Sequence, residues 1–167
     1  MTRVGIVGHS DLAPTCVSVL RTALRRLLVT HARVGRLVGV SCLAPGADQL
    51  FAREVLDVGG HLEAILPAPD YRTRQIDPDC APEFDRLLGE ARSVRVMEFE
   101  RCCTQARMAA STALVSSVDM VAAIWDGRSC SDVLTGDVIA TARGRGVPVA
   151  VIWPATAQRT PVAEPAW

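Results

Sequence analysis

The stretch from Val38 to Val58 constrains the fold most, because its pattern changes from strand to helix within a few residues. The β-branched run Val38–Val40 favours a buried strand, and Pro45-Gly46 is typical of a turn. Beyond the turn, apolar residues recur at helical spacing, at Ala47, Leu50, Phe51, Val55 and Val58. The sequence therefore predicts a strand, a tight turn and a helix that starts at the end of the strand.

Such a turn has two interpretations. The free N–H groups of the first helical turn attract anions, and Gly46 would let a phosphate or carboxylate approach the backbone closely. An ordinary connection between a strand and a helix has the same local pattern. The arrangement of the other loops therefore has to decide between them.

The same alternation of strand and helix continues along the whole chain. Helices are predicted from Pro14, Ala47, Phe84, Ala106 and Thr135, whereas the segment from Pro67 to Pro82 is polar and irregular. Nearly all-apolar runs predict strands at Val4–Val7, Leu37–Val40, Leu62–Leu66, Val94–Met97, Met120–Trp125 and Val147–Trp153. This order predicts an α/β fold, a three-layer Rossmann-like sandwich with a mostly parallel sheet of about six strands.

Length and hydropathy predict one domain. Residues 1–154 are expected to form a single Rossmann-like domain, and the Ala/Pro-rich residues 155–167 a poorly ordered tail. The N-terminus enters a strand pattern at once, and no apolar run approaches the ~20 residues that a membrane span requires. We therefore expect a cytoplasmic protein without a membrane partner.

The charge balance and the cysteine spacing exclude several classes of function. The chain has 18 acidic and 18 basic residues, all of the latter arginine, so it has no net charge to attract DNA, and nucleic acid is an unlikely partner. The absence of lysine excludes a Schiff base and a P-loop lysine. The six cysteines form no C-x-x-C pair and have no metal-ligand spacing to the histidines, so we expect neither metal nor cofactor.

Loops with polar side chains are concentrated at one predicted edge of the sheet. In parallel sheets, ligands bind outside the carboxyl ends of the strands, near the point where strand order reverses. The loops at the opposite edge are short and plain. The loops at the carboxyl edge combine Gly or Pro turns with polar residues: Gly8–Asp11, Cys42–Gln49, Pro67–Gln75 and Asp126–Asp137. This asymmetry predicts a ligand site at the carboxyl edge.

Four segments together resemble a known superfamily. They are Val4–Leu12, Pro45–Ala52, Leu66–Arg72, and Val118–Gly127 taken with Leu134–Val138. In this order and spacing they resemble the SLOG superfamily of Rossmann-like nucleotide-binding domains. That superfamily includes the DNA-processing protein A group, the Lonely Guy phosphoribohydrolases and small uncharacterised bacterial proteins, which the chain resembles most.

The resemblance implies a nucleotide or a nucleotide-derived ligand at the carboxyl edge. The Gly8 loop and the turn at Pro45 would face its phosphate or sugar, and the loop from Asp126 to Asp137 would close over the other side. The ligand-binding candidates are Gly8, His9, Ser10, Pro45, Gly46, Ala47, Asp48, Gln49, Tyr71, Arg72, Trp125, Gly127, Thr135 and Gly136.

Several of these side chains also have an ordinary structural role. Asp48 would bind a ribose hydroxyl or simply favour the first turn of its helix. Tyr71 and Trp125 would stack on a base or pack against the sheet. Arg72 would pair with phosphate or remain solvated, and His9 would contact the ligand or hydrogen-bond within its loop.

The chain departs from its catalytic relatives. The phosphoribohydrolases carry Pro-Gly-Gly-x-Gly-Thr-x-x-Glu, and aligning that threonine with Thr135 puts Val138 at the glutamate position. Their upstream arginine aligns with Ala110, and Arg107 is the nearest basic residue, about one helical turn away. Asp137, one residue before Val138, and Asp126 are therefore the catalytic candidates left.

These observations yield three hypotheses. The first is a nucleotide-binding module of the sensor or carrier type, acting as a homo-oligomer, a dimer, through the Ala-rich helix near Ala106. The alternative is a nucleotide N-glycosidase in which Asp137 or Asp126 stabilises an oxocarbenium ion or activates water. A DNA-handling protein comes third because the chain has no net charge.

Overall fold

Six parallel strands form the centre of the protein. The computed structural model describes residues 1–128 and 133–160, with the side chain of Val133 excepted. The strands are Thr2–Gly8 (β1), Leu37–Ser41 (β2), His61–Leu66 (β3), Ser93–Val96 (β4), Met120–Ile124 (β5) and Val149–Ile152 (β6). They form one sheet in the order β4-β3-β2-β1-β5-β6, and every neighbouring pair is parallel. The predicted α/β fold with a parallel sheet is confirmed.

Helices connect these strands. A single 3-10 turn at Pro14–Cys16 leads into the first one, and none of the described helices has the length and apolar character that crossing a membrane would take. The helices are Val17–Val34 (α1), Ala47–Asp57 (α2), Tyr71–Gln75 (α3), Ala81–Glu90 (α4), Thr104–Ser116 (α5) and Val133–Gly144 (α6).

The segment predicted to be irregular contains the short helix α3. The Tyr71 side chain is buried in the core and holds this helix against it. Five residues are too few to show a periodic pattern of apolar side chains, so the sequence does not reveal this helix. The prediction of irregular backbone from Pro67 to Pro82 was therefore wrong for residues 71–75.

Helices cover both faces of the sheet, which explains why the strands are apolar throughout. Val4 and Ile6 pack towards α1 and α2, and α4 lies on the same face against β3. Val7 and Val40 pack on the other face, against α5 and α6. The core therefore consists of two apolar layers separated by the sheet.

Strand order reverses at β1. The chain builds β1 to β4 outwards in one direction and then crosses over to place β5 on the other side of β1. The chain therefore leaves β1 and β5 towards helices on opposite faces of the sheet, and parallel sheets usually bind ligands at the carboxyl edge near such a reversal.

The last described residues lie against the loop that follows β1. The N–H of Ala13 donates to the carbonyl of Gln158 at 3.0 Å, and the N–H of Thr160 donates to the carbonyl of Asp11 at 2.7 Å. Arg159 forms an ion pair with Asp11 at 2.8 Å. Residues 155–160 of the predicted tail thus pack on the domain, and residues 161–167 lie outside the described residues.

The contact between α1 and α2 contains a fully buried carboxylate, Glu54, which accepts hydrogen bonds from Arg21 and Arg25. Arg21 also pairs with the exposed Asp57 at 2.9 Å.

We expect Glu54→Ala to lower the free energy of unfolding by about 2 kcal/mol, because it removes charge-assisted hydrogen bonds in a buried position. The matched Asp57→Ala should change it by less than about 0.5 kcal/mol. Urea unfolding measures both, and equal effects would contradict the expectation.

Candidate functional site

A cavity of about 170 Å³ opens at the carboxyl edge of the sheet. Its wall consists of the loops after β1, β2 and β3 together with the facing sides of α5 and α6. The polar side chains in the wall come from the segments after β1, β2 and β3 and from both facing helices: Ser10, Asp48, Tyr71, Gln75, Arg107, Ser111 and Thr135. The cavity therefore opens at the edge where the loop pattern predicted a ligand site.

Two glycines allow the loops after β1 and β2 to pack in direct contact. A Cβ atom on Gly8 would lie 2.6 Å from the Cβ of Ala47, and one on Gly46 would lie 2.6 Å from the carbonyl oxygen of His9. Gly46 also has a φ of +80°, a backbone conformation that residues with a side chain rarely adopt. Both positions consequently require glycine for close packing.

The first N–H groups of α2 are partly used within the fold. The N–H of Ala47 donates to the carbonyl of His9 at 3.1 Å, and that of Gln49 donates to Ala44 at 3.2 Å. Gly46, Ala47 and Gln49 do not line the cavity, whereas Pro45 and Asp48 do. The turn therefore presents a side-chain carboxylate to the cavity more than a set of free N–H groups.

The carboxylate of Asp48 is held in one orientation. It is 6% exposed and accepts hydrogen bonds from the Ser41 hydroxyl and from the N–H of Cys42, both at 3.2 Å. The Ser41 hydroxyl in turn accepts from the N–H of Leu43 at 2.9 Å. This network fixes a negative charge in the cavity wall.

Tyr71 and Cys42 contribute neutral groups to the same wall. Burial, followed by the charges of Cys42 and Asp48, raises the pKa of Tyr71 well above its usual range. Burial, and then the charge of Asp48, likewise raises the pKa of the Cys42 thiol far above its usual range. A raised pKa favours the protonated form of both groups at neutral pH, in which each has a proton to donate to a hydrogen bond.

Arg107, on the first turns of α5, brings a cation to the cavity. Its Nε atom is buried and has no hydrogen-bond partner among the described residues. Its charge lies close enough to Tyr71 to oppose the effect of burial on the pKa of that phenol. Buried donors are normally paired, so an unpaired guanidinium N–H at a cavity suits an anionic ligand.

His9 and Asp126 form a pair outside the cavity. His9 is fully buried, and its Nε2 atom lies 3.1 Å from Oδ1 of Asp126 and 3.2 Å from the backbone nitrogen of that residue. The His9 ring also packs edge-on against Trp153 at 5.7 Å between centroids. Arg159 lies 3.7 Å from the Asp126 carboxylate. The pair therefore joins the ends of β1 and β5 to the last described residues.

This pair predicts a dependence of stability on pH. Burial raises the pKa of Asp126, but the N–H of Arg128, His9 and the charge of Arg159 outweigh it and hold that pKa below its ordinary value. A carboxyl with a lowered folded-state pKa stabilises the fold above its unfolded-state pKa, near pH 4, and loses that contribution as the pH falls through the folded-state pKa. We therefore expect Asp126→Asn to destabilise the protein by about 1–2 kcal/mol at pH 7 and by clearly less at pH 3. Urea unfolding at both pH values tests this, and a constant difference would contradict it.

The other predicted residues are spread around the edge. Arg72 forms a two-pronged pair with Asp85, both contacts at 2.6 Å, and Asp137 is exposed on α6. The Trp125 indole donates to the carbonyl of Arg128 at 3.2 Å. None of these three, nor Gly127 or Gly136, lines the cavity, whereas Gly8, Ser10, Pro45, Asp48, Tyr71 and Thr135 do.

Sequence reasoning did not select Arg107, Ser111 or Gln75, which also line the cavity. Arg107 and Ser111 are four residues apart on α5 and so lie on the same side of the helix. That spacing in a helix following the fourth strand was the available signal. Among the described residues, no three His, Cys, Asp or Glu side chains are grouped closely enough to hold a metal ion.

No protein-family model matches the sequence, and no curated protein matches it. Solved structures do match the fold. One is DNA processing protein A from Streptococcus pneumoniae, with a TM-score of 0.66 and 17% identity over 93% of this chain and 52% of that one. This chain therefore spans about half the length of that protein.

Two further structures have the same fold. DNA processing protein A from Helicobacter pylori, described for its single-stranded DNA binding mode, matches with a TM-score of 0.63 and 18% identity over 95% of this chain and 69% of that one. The molybdenum cofactor carrier protein from Chlamydomonas reinhardtii matches with a TM-score of 0.55 and 16% identity, over 90% of this chain and 75% of that one.

These matches confirm the predicted resemblance at the level of the fold, since DNA processing protein A is one of the groups that the four sequence segments resemble. The particular likeness to small bacterial members stays a prediction. The expectation that nucleic acid is an unlikely partner finds no support in neighbours that include a single-stranded DNA binder.

Proposed function

We propose that the protein binds a nucleotide or a nucleotide-derived metabolite in the cavity at the carboxyl edge, as a sensor or carrier. The observation that carries this proposal is Arg107, a cavity-lining residue whose Nε–H is buried without a hydrogen-bond partner among the described residues. The guanidinium would bind the phosphate, since planar N–H pairs match the geometry of phosphate oxygens.

Asp48 would recognise the sugar. Its carboxylate accepts hydrogen bonds from Ser41 and Cys42, and carboxylates of Rossmann-like folds also accept hydrogen bonds from ribose hydroxyls. The protonated Tyr71 hydroxyl and the hydroxyls of Ser10 and Thr135 would supply further hydrogen bonds. The wall of this cavity thus combines one guanidinium, one carboxylate and several hydroxyl groups.

The ionisation states of the wall favour binding over catalysis. Tyr71 and Cys42 are protonated, and the carboxylates of Asp126 and Asp137 lie outside the cavity. A carrier role also agrees with the presence of a cofactor carrier protein among structures of this fold. N-glycosidic hydrolysis is the second candidate, because Asp48 puts one carboxylate where it would stabilise an oxocarbenium ion.

A ligand panel tests the proposal. Thermal unfolding would be followed with nucleoside 5′-monophosphates, the matching nucleosides and a short single-stranded DNA, and each mixture would be analysed for free base. We expect stabilisation by at least one monophosphate without release of base. Base release would favour the hydrolase, salt-sensitive stabilisation by DNA alone would favour a DNA-handling protein, and no stabilisation at all would contradict the proposal.

We also propose that the protein is a cytoplasmic homodimer associating through α5. Small side chains on this helix remain partly exposed, at Ala109, Thr112 and Ala113. We expect light scattering to give twice the 17.9 kDa of one chain, and Ala113→Glu to give the monomer. A monomeric wild-type protein would contradict this.

A further inference from the structure

The cavity is small for a whole nucleotide. Its volume is about 170 Å³, whereas pockets that enclose complete ligands have roughly 300–1,000 Å³. An apolar cavity of about 150 Å³ is filled by a single benzene molecule. A nucleotide consists of a base, a sugar and a phosphate, so this cavity can enclose only part of it.

The chemistry of the wall indicates which part is enclosed. Arg107 is the cation in the described wall, Asp48 is the carboxylate, and the remaining polar groups there include hydroxyls. A guanidinium with hydroxyl donors suits a phosphate monoester, and a fixed carboxylate suits sugar hydroxyls. The same carboxylate would repel a second phosphate placed deeper in the cavity.

The wall offers no free aromatic face to a base among the described residues. Tyr71 is only 4% exposed, and its ring packs edge-on against Phe84 at 6.0 Å between centroids. Trp125 and Trp153 lie outside the cavity wall. Stacking against an aromatic side chain is a common way to hold a base, and the described part of the wall has no exposed aromatic ring for it.

We infer that the cavity encloses the 5-phosphoribosyl unit of its ligand and leaves the base outside, so that affinity is nearly independent of the base. This inference rests on the proposed function and narrows it to a ligand class. Compounds that share the phosphoribosyl unit, including ribose 5-phosphate itself, would bind to the same residues.

Titration calorimetry with wild-type protein tests this. The ligands are ribose 5-phosphate, the 5′-monophosphates of adenosine, guanosine, cytidine and uridine, their nucleosides, and adenosine diphosphate. We expect the four monophosphates to agree within about five-fold in Kd and ribose 5-phosphate to lie within about ten-fold of them. Nucleosides should bind at least about 100-fold more weakly, and the diphosphate about ten-fold more weakly.

Tyr71→Phe separates the sugar-phosphate contact from any base contact, because it removes one hydroxyl and keeps the ring. It should weaken ribose 5-phosphate and all four monophosphates by the same factor, about five- to ten-fold. The control is Arg26→Gln, since Arg26 is exposed on α1 and lies outside the cavity wall. This control should leave every affinity unchanged.

The outcomes distinguish this inference from the proposed function. A strong preference for one base, with no binding of ribose 5-phosphate, would overturn the inference and leave the proposed function standing. Binding of ribose 5-phosphate without any nucleotide would overturn the proposed nucleotide-binding function, and it would also contradict the inference, because a base that stays outside the cavity should not prevent binding. Absence of binding by all of these compounds would overturn both.

Discussion

Replacing Arg107 with glutamine is expected to weaken the binding of a nucleoside monophosphate by about 100-fold. The substitution removes charge-assisted hydrogen bonds to phosphate, which contribute about 1.5–3 kcal/mol at a desolvated site. Arg107→Lys keeps the positive charge but cannot bind phosphate in a bidentate manner, so we expect about ten-fold weaker binding of the monophosphate. Titration calorimetry measures both dissociation constants.

The stability of the free protein provides a second measurement on the same variants. Because the Nε–H of Arg107 is buried without a partner among the described residues, its removal should not lower the melting temperature of the unliganded protein. The stabilisation by ligand should nevertheless disappear. Arg26→Gln, at an exposed position on α1, is the matched control and should bind normally. Equal weakening of nucleosides and monophosphates would contradict a phosphate contact.

Gly46→Ala is expected to destabilise the protein by about 3–4 kcal/mol. The left-handed conformation alone costs a side chain about 1–2 kcal/mol, and forcing a methyl group into packed atoms adds about 1–3 kcal/mol. The new Cβ would lie 2.6 Å from the His9 carbonyl oxygen and 2.7 Å from the Cα of Ser10. These are backbone atoms, so the loops after β1 and β2 would have to separate.

Gly59 is a matched control for this substitution. Its φ is +79°, nearly that of Gly46, but apart from its two chain neighbours no atom of the described residues lies within 4 Å of its Cβ position. Gly59→Ala should therefore lose only the conformational part, about 1–2 kcal/mol. Urea unfolding gives both values. A difference below about 1 kcal/mol between the two variants would show that the loops yield easily and would contradict the close packing described above.

Local pattern was sufficient to predict the architecture. Apolar runs such as Val38–Val40 and Met120–Trp125 alternate with helical spacing, and only a parallel sheet covered on both faces accommodates that order. Because the chain direction at each loop follows from this order, the carboxyl edge was predictable as well. Ser10, Pro45, Asp48, Tyr71 and Thr135 were selected from those loops, and all five line the cavity.

Contacts between distant segments were not predictable in this way. Asp126 and His9 are neighbours in space and are 117 residues apart in the sequence. The N–H groups of the Pro45-Gly46 turn looked available for an anion, but the carbonyl groups of His9 and Ala44 accept hydrogen bonds from Ala47 and Gln49. Whether a polar group is free or paired depends on which backbone lies opposite, and sequence spacing does not contain that information.

The sequence by itself therefore determined the layered α/β fold and the edge of the sheet at which the cavity opens, because both follow from the periodicity of apolar residues. The tertiary structure decided which side chains face the cavity. It brought Arg107 on α5 beside Tyr71 and set it in the same wall as Asp48, and it drew His9, Asp126 and Arg72 into pairs elsewhere. The physical reason is that the direction and burial of a charged side chain depend on packing between elements far apart in the chain.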